Sequence, residues 1–187
     1  MTFPPVGQRV HVVGTTGSGK TTVAAALSAC LNLKHVELDA HHWQPNWSEP
    51  LLPAFRQKVK DALSGDSWVV DGNYGKVRDL IWPRADTIVW LDYPLLVILW
   101  QLTRRTFARI FFRQELWSGN RESLRTALFS RDSLFLWALK TYRRRRRDYP
   151  QLLALPEYAH LTAIQLASPR QAKRWLSSLP TSPADTP

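Results

Sequence analysis

The chain has 187 residues, of which 44% are hydrophobic and 21% charged. Those proportions exclude a disordered or collagen-like polymer, and at ~100–200 residues per domain they fit one compact domain over 1–180. Lys and Arg number 25 against 15 Asp and Glu, a net charge of +10. The whole excess falls in residues 104–147, which hold 13 basic and three acidic side chains. A lone cysteine, Cys30, excludes an internal disulfide framework and reads as a small buried hydrophobe in an Ala-rich helix. The opening MTFPPVGQRV has no charged stretch followed by an apolar one, so no secretory signal is expected. The greasiest stretch, Ile88–Leu102, is interrupted by Asp92 and Pro94 and falls short of the ~20 residues of a membrane span. The expectation is a cytoplasmic protein with no membrane partner.

Arg9–Val13 (RVHVV) is a β-branched run, the pattern of a strand buried on both faces of a parallel sheet. A glycine-rich turn follows, then Thr21–Leu31, rich in Ala and Leu, as a helix. A second strand spans His35–Leu38 and ends at Asp39. Ala54–Leu63 has helical spacing, stopped by Ser64-Gly65-Asp66. Trp68–Val70 is a third strand ending at Asp71-Gly72, and Thr87–Leu91 is a fourth ending at Asp92-Tyr93-Pro94. A long helix runs from about Leu95 to Trp117 and breaks at Ser118-Gly119-Asn120. A further helix covers Ser133–Asp148, a last strand Thr162–Leu166 and a closing helix Pro169–Ser177, and 181–187 is a flexible tail. Strands alternating with helices define an α/β fold with a parallel sheet.

Residues Gly14-Thr15-Thr16-Gly17-Ser18-Gly19-Lys20-Thr21 match G-x-x-x-x-G-K-[ST] in full, between a strand and a helix. Glycines let successive backbone N–H groups turn toward phosphate oxygens, and the helix that follows adds its positive end. Lys20 can reach the β- and γ-phosphates, and Thr21 offers a hydroxyl to Mg²⁺. Gly14 through Thr22 are therefore the expected contacts of a nucleoside triphosphate: Gly14, Thr15, Thr16, Gly17, Ser18, Gly19, Lys20, Thr21 and Thr22. No N-K-x-D tetrapeptide of a switch GTPase occurs, which leaves mainly the small phosphotransferases.

In open α/β sheets, ligands gather at the carboxyl ends of strands, where Asp39, Asp71 and Asp92 stand. Asp71, after Trp68-Val69-Val70, is presented as a Mg²⁺-associated carboxylate is; a plain Asp-Gly-Asn turn is the bland alternative. Asp39 can orient an acceptor hydroxyl or serve as general base. Asp92 precedes Tyr93-Pro94 and reads as a helix N-cap, outside the site. His41, His42, Trp43 and Trp47 read equally as acceptor-pocket lining or as core, and without a Cys or a spaced third ligand the histidines make a weak metal site.

The glycine-rich loop, Trp68–Tyr74 and Leu91-Asp92-Tyr93-Pro94 followed by Arg104-Arg105 occur in the order found in nucleoside monophosphate kinases, and the chain resembles the P-loop adenylate-kinase-like family. Leu38–Trp43, Asp71–Tyr74 and Trp117–Ser123 make it similar to the small members labelled DNA topology modulation proteins. The resemblance covers about Arg9 to Tyr149. It implies a five-stranded sheet of order 2-3-1-4-5 between helices and an Arg-rich helical lid at about 104–131. It also implies a magnesium-associated role for Asp71 and a lid role for Arg105. The proline and arginine that the family carries after Asp-Gly are Tyr74 and Gly75 here, and the nearest arginine is Arg78.

Arg105, Arg109 and Arg113 recur every four residues along one side of a helix. Arg105 and Arg109 are the expected pair that neutralises charge on a transferring phosphoryl group. Arg143–Arg147 point in every direction around a helix, so one or two can face a single site. Phe107, Phe111, Phe112 and Trp117 have the spacing of core residues. The expected activity is ATP- and Mg²⁺-dependent transfer of the γ-phosphoryl group to a small acceptor: a nucleotide, a nucleoside or a metabolite. Lys20, Asp71, Arg105, Arg109 and Asp39 are its catalytic set, Thr21 and Asp71 its metal ligands, and Asn73 and Tyr74 join Asp39 on the acceptor side. The alternative is a nucleotide-regulated nucleic-acid-binding protein that uses 104–147 as its contact surface.

Overall fold

The computed structural model describes residues 3–121 and 134–180. Five strands, β1 (Arg9–Gly14), β2 (Lys34–Glu37), β3 (Trp68–Asp71), β4 (Thr87–Leu91) and β5 (Thr162–Leu166), form one parallel sheet in the order β2-β3-β1-β4-β5. The helices are α1 (Lys20–Leu31), α2 (Leu38–His42), α3 (Leu52–Ala62), α4 (Arg78–Ile81), α5 (Leu95–Phe111), α6 (Leu134–Leu153) and α7 (Pro169–Ser177). Register places Val12 beside Asp71, Glu37 beside Asp71, and Gly14 beside Leu91. The carboxyl ends of β1, β2, β3 and β4 therefore meet at one edge of the sheet, where the glycine-rich loop begins.

Alternation along the strands divides the apolar residues between two cores. Val13, Val36, Trp68, Val70, Ile88 and Trp90 face one layer with Phe55, Val59, Ile81, Trp82 and Tyr149. Val10, Val12, Val69, Val89, Leu91, Ile164 and Leu166 face the other with Leu27, Ile98 and Trp175. Trp68, Trp82 and Trp175 are fully buried, and at ~1.5–3 kcal/mol for each large apolar side chain removed from water these indoles anchor the helices to the sheet. Among the described residues no helix is long and apolar enough to cross a membrane.

Several expectations need correction. Asp39 does not end a strand: β2 stops at Glu37, and Asp39 sits in the first turn of the short helix α2. The long helix stops at Phe111 rather than Trp117, because Arg113 takes a left-handed backbone (φ 46°). Arg113 is thus off the stripe that carries Arg105 and Arg109. Asp92 is no N-cap; Pro94 holds that position. Asp92 is buried and takes Arg146 at 2.9 Å and Gln165 Nε2 at 2.9 Å, fastening β4 and β5 to α6. Phe107, Phe111 and Phe112 are exposed, since the buried stripe of α5 is Ile98, Leu102 and Thr106. Cys30 is only half-buried. Helix α6 runs past Asp148 to Leu153 with Pro150 inside it. Residues 122–131 of the expected lid, Ser133 and the 181–187 tail lie outside the described residues.

Candidate functional site

The loop between β1 and α1 is shaped by its glycines. Gly17 (φ 87°) and Gly19 (φ 84°) lie in the left-handed region that side chains avoid. A Cβ on Gly17 would meet Leu102 Cβ at 2.9 Å and the Ile98 carbonyl at 3.1 Å, so the loop is pressed against α5. A Cβ on Gly19 would meet nothing within 4 Å, which leaves open space at the start of α1. The first turn of α1 has neither an acidic residue nor a side-chain cap, so its backbone N–H groups face that space unpaired by either. Ser18 Oγ is buried in the loop without a hydrogen-bond partner, an orphaned donor of the kind that phosphate oxygens satisfy. Thr15 is buried, Thr16 half-buried and Thr22 exposed. Lys20 Nζ rests 3.5 Å from the Thr15 carbonyl. Burial, and then the charge of Arg145, bring its pKa down to about 8; a bound polyanion would reverse that push.

Beside the loop, Asp71 at the end of β3 is 2% exposed. Its Oδ1 accepts the Thr21 hydroxyl at 3.1 Å, and its Oδ2 meets His35 Nε2 at 2.8 Å. That second bond raises the His35 pKa. Among the described residues no three or more His, Cys, Asp or Glu gather to hold a metal. A hydroxyl and one carboxylate are instead the kind of sparse oxygen donor set that Mg²⁺ uses when phosphates and water complete its shell. The residues therefore fit the ion.

Asn73 clasps the first residue of the loop. Its Oδ1 accepts the Gly14 N–H at 3.2 Å and the Tyr149 hydroxyl at 2.9 Å, while its Nδ2 donates to the Gly14 carbonyl. The same carbonyl accepts from Arg145 at 3.4 Å. Of the five consecutive arginines, Arg145 alone is buried, and Tyr149, one turn on, shares its side of α6. Arg105 is half-buried on α5, close enough for its charge to act on Lys20. Beneath Asp71-Gly72, His11 is 4% exposed. Its Nδ1 accepts from Trp82 Nε1 at 3.1 Å, which assigns the ring proton to Nε2, donating to the Gly72 carbonyl at 2.9 Å. Burial brings its pKa down to about 4.

On the other side of the loop, the Tyr74 hydroxyl donates to Asp39 Oδ1 at 2.5 Å. Burial, reinforced by the Asp39 charge, pushes the Tyr74 phenol well above its ordinary pKa. His42 is buried among the rings of Tyr74 (4.5 Å), Phe55 (4.9 Å) and Trp43 (4.9 Å). Burial lowers its pKa, against the pull of Glu49, whose carboxylate lies 3.6 Å from its Nε2. His41 is half-exposed.

A scan against protein-family models finds no match. Over 104 residues, 54% of the chain, the sequence is 28% identical to YqaC of Bacillus subtilis (strain 168), an uncharacterised protein, and the alignment spans 58% of that relative. Among solved structures, shikimate kinase from Acinetobacter baumannii in complex with shikimate superposes with a TM-score of 0.55 at 14% identity, over 91% of this chain and 89% of that one. A gluconokinase from Sinorhizobium meliloti 1021 gives 0.52 at 20% identity, over 92% and 93%. Shikimate kinase from Aquifex aeolicus gives 0.51 at 17%, over 91% and 95%. The fold is that of the small P-loop kinases. Likeness at this level carries architecture; chemistry has to come from the site.

The P-loop, Thr21 and Asp71 are brought together as the sequence suggests, and Asp39 is joined to Tyr74; Asn73, expected beside them on the acceptor side, is instead bonded to Gly14 and Tyr149. Sequence reasoning passed over three members of this constellation. His35 and His11 read only as strand residues, although a histidine inside a β-branched run is a signal in itself. Arg145 was hidden among four identical neighbours. Tyr149, four residues beyond it, marks the side of α6 that turns toward the loop.

Proposed function

We propose that the chain is an ATP- and Mg²⁺-dependent phosphotransferase, a kinase-like domain over 1–180 with a lid at about 104–131, acting on the hydroxyl of a small molecule. The observation that carries this reading is the P-loop itself, with Lys20 Nζ and the buried Arg145 held against the carbonyls of its adjacent residues Thr15 and Gly14, next to the Thr21–Asp71 oxygen pair. Both cations converge on the loop whose open N–H groups a polyphosphate would occupy, and its charge would add to that of Asp39 and Asp71 in balancing them. The α1 N-terminus and Lys20 bind the β- and γ-phosphates, and Ser18 Oγ adds a donor. Thr21 and Asp71 hold Mg²⁺, which when bound neutralises charge on the phosphate oxygens. Asp39 accepts the proton of the acceptor hydroxyl as that oxygen bonds to the γ-phosphorus and the bond to the β–γ bridging oxygen breaks, releasing ADP. Arg105, Arg109 and Arg145 stabilise the charge on the group in flight.

The acceptor arm narrows the substrate class. Between Lys34 and Arg56 the chain carries Glu37, Asp39 and Glu49 but no Lys or Arg. Such an arm suits acceptors that present hydroxyl groups without a phosphate or carboxylate, such as nucleosides, sugars and polyols. The test is ATP consumption with Mg²⁺ against a panel of nucleosides, nucleoside monophosphates, sugars and polyols, with Lys20→Ala as blank. One neutral acceptor should raise turnover well above hydrolysis, and Lys20→Ala should lose it by at least about 100-fold while staying folded. A second reading, nucleotide-regulated nucleic-acid binding, is favoured by the exposed Arg143 and Arg144 and the exposed Phe107, Phe111 and Phe112. Intact ATP binding with no acceptor effect, and a steep salt-dependent affinity for nucleic acid, would replace the first reading with this one.

A further inference from the structure

Two short turns far apart in sequence interlock beside the acceptor arm. One is Pro45–Trp47 and the other Trp117–Gly119. Each holds non-glycine residues in left-handed backbone: Asn46 (φ 59°) and Trp47 (φ 56°) in the first, Ser118 (φ 57°) in the second. Such conformations persist where the surroundings over-determine them, and they gather at working sites. Here one side chain does most of the determining. Asn120 is 5% exposed. Its Nδ2 donates to the Gln44 and Trp117 carbonyls, both at 2.8 Å, and its Oδ1 accepts the Trp47 N–H at 2.9 Å. Around it, Ser118 Oγ donates to the Trp43 carbonyl at 2.8 Å and Trp117 Nε1 to Glu37 Oε2 at 2.6 Å.

The interlock lies between the two halves of the proposed chemistry. The Arg109 guanidinium stands 6.0 Å from the Trp117 ring, which links the turn back to α5 and its arginines. Glu37 and Trp43, the partners on the other side, flank α2, which carries Asp39. We propose that Asn120 is a positioning residue, a latch that fastens the arginine-bearing arm to the arm bearing Asp39, so that proton acceptor and phosphoryl-stabilising groups are assembled in one step. Its chemical meaning rests on the phosphotransferase reading; the latch itself does not. With the latch loosened, the acceptor is held less well against the phosphoryl group, and water competes for it.

The test uses the full chain and Asn120→Ala, with Trp117→Phe as a milder variant that keeps an aromatic ring but loses the donor to Glu37 and part of the indole's bulk. Hydrogen exchange read by mass spectrometry reports the latch without reference to activity. In Asn120→Ala, peptides covering 43–48 and 114–120 should both exchange about tenfold faster or more, while the P-loop peptide is unchanged. Loosening of only one segment, or of neither, overturns the latch. If the P-loop loosens too, Trp117→Phe decides: both segments must still respond together. The second readout is the ratio of phosphorylated acceptor to ATP consumed, with kcat and KM separated. The ratio should fall and the acceptor KM rise, while affinity for a non-hydrolysable ATP analogue stays within about twofold. An unchanged ratio with both segments loosened overturns the positioning role. Absence of transfer to any acceptor in the unmodified protein overturns the phosphotransferase reading, and the exchange result still judges the latch.

Discussion

His11 makes the turn that presents Asp71 sensitive to acid. Its ring is sealed in the core between the Trp82 indole and the Gly72 carbonyl, and its pKa falls from 6.5 to about 4. The folded state therefore disfavours the protonated ring, whereas the unfolded chain accepts the proton freely. Stability from this group is fully present above 6.5 and is lost as pH falls toward about 4. Between pH 7 and pH 5 the linkage removes about 2 kcal/mol, a large share of the ~5–15 kcal/mol that holds a domain together. His35 works in the opposite direction. Its pKa is raised by the bond to Asp71, so its contribution is present below its unfolded value and is lost as pH rises through its folded one. Urea unfolding followed by Trp fluorescence, at pH 7 and pH 5, on the unmodified chain and on His11→Gln, separates the two. His35 is common to both proteins, so the unmodified chain should lose about 2 kcal/mol more than the variant. Equal losses, within ~0.5 kcal/mol, would refute the argument that the buried imidazole is the acid-labile element.

Two further predictions concern the loop. Arg145→Met should lower phosphoryl transfer by about 100-fold. Because the Arg145 charge is the second cause of the lowered Lys20 pKa, the alkaline limb of kcat/KM for ATP, near pH 8 in the unmodified protein, should move to higher pH; an unmoved limb would separate Arg145 from Lys20. Gly17→Ala combines left-handed backbone strain, ~1–3 kcal/mol, with a clash against Leu102, whereas Gly19→Ala carries the strain alone. Chemical denaturation should therefore rank Gly17→Ala as the less stable of the two.

The strands and the P-loop were legible because their signals are local: β-branched runs, a fixed glycine spacing and a lysine at the helix start. Strand order came from resemblance, and the parallel register of the sheet agrees with it. What periodicity could not supply was the set of short or interrupted elements. Helices α2 and α4 span five and four residues, too few to complete an apolar stripe. The end of α5 depends on one left-handed residue, Arg113, that no propensity marks. Choosing Arg145 from five arginines depends on where α6 packs, which is a tertiary fact. The Trp117–Asn120 motif was visible as a string, but its partners lie more than 70 residues upstream, beyond the reach of any local pattern.

The uneven placement of charge has a kinetic consequence. The excess of ten positive charges is confined to residues 104–147, and the rest of the sequence is balanced. On the phosphotransferase reading, a nucleotide with several negative charges would be attracted by that segment within about a Debye length, ~10 Å at 0.1 M salt. A neutral acceptor feels no such pull. On that reading the two substrates would arrive under different rules, one with an association rate that falls as salt rises, the other by diffusion alone.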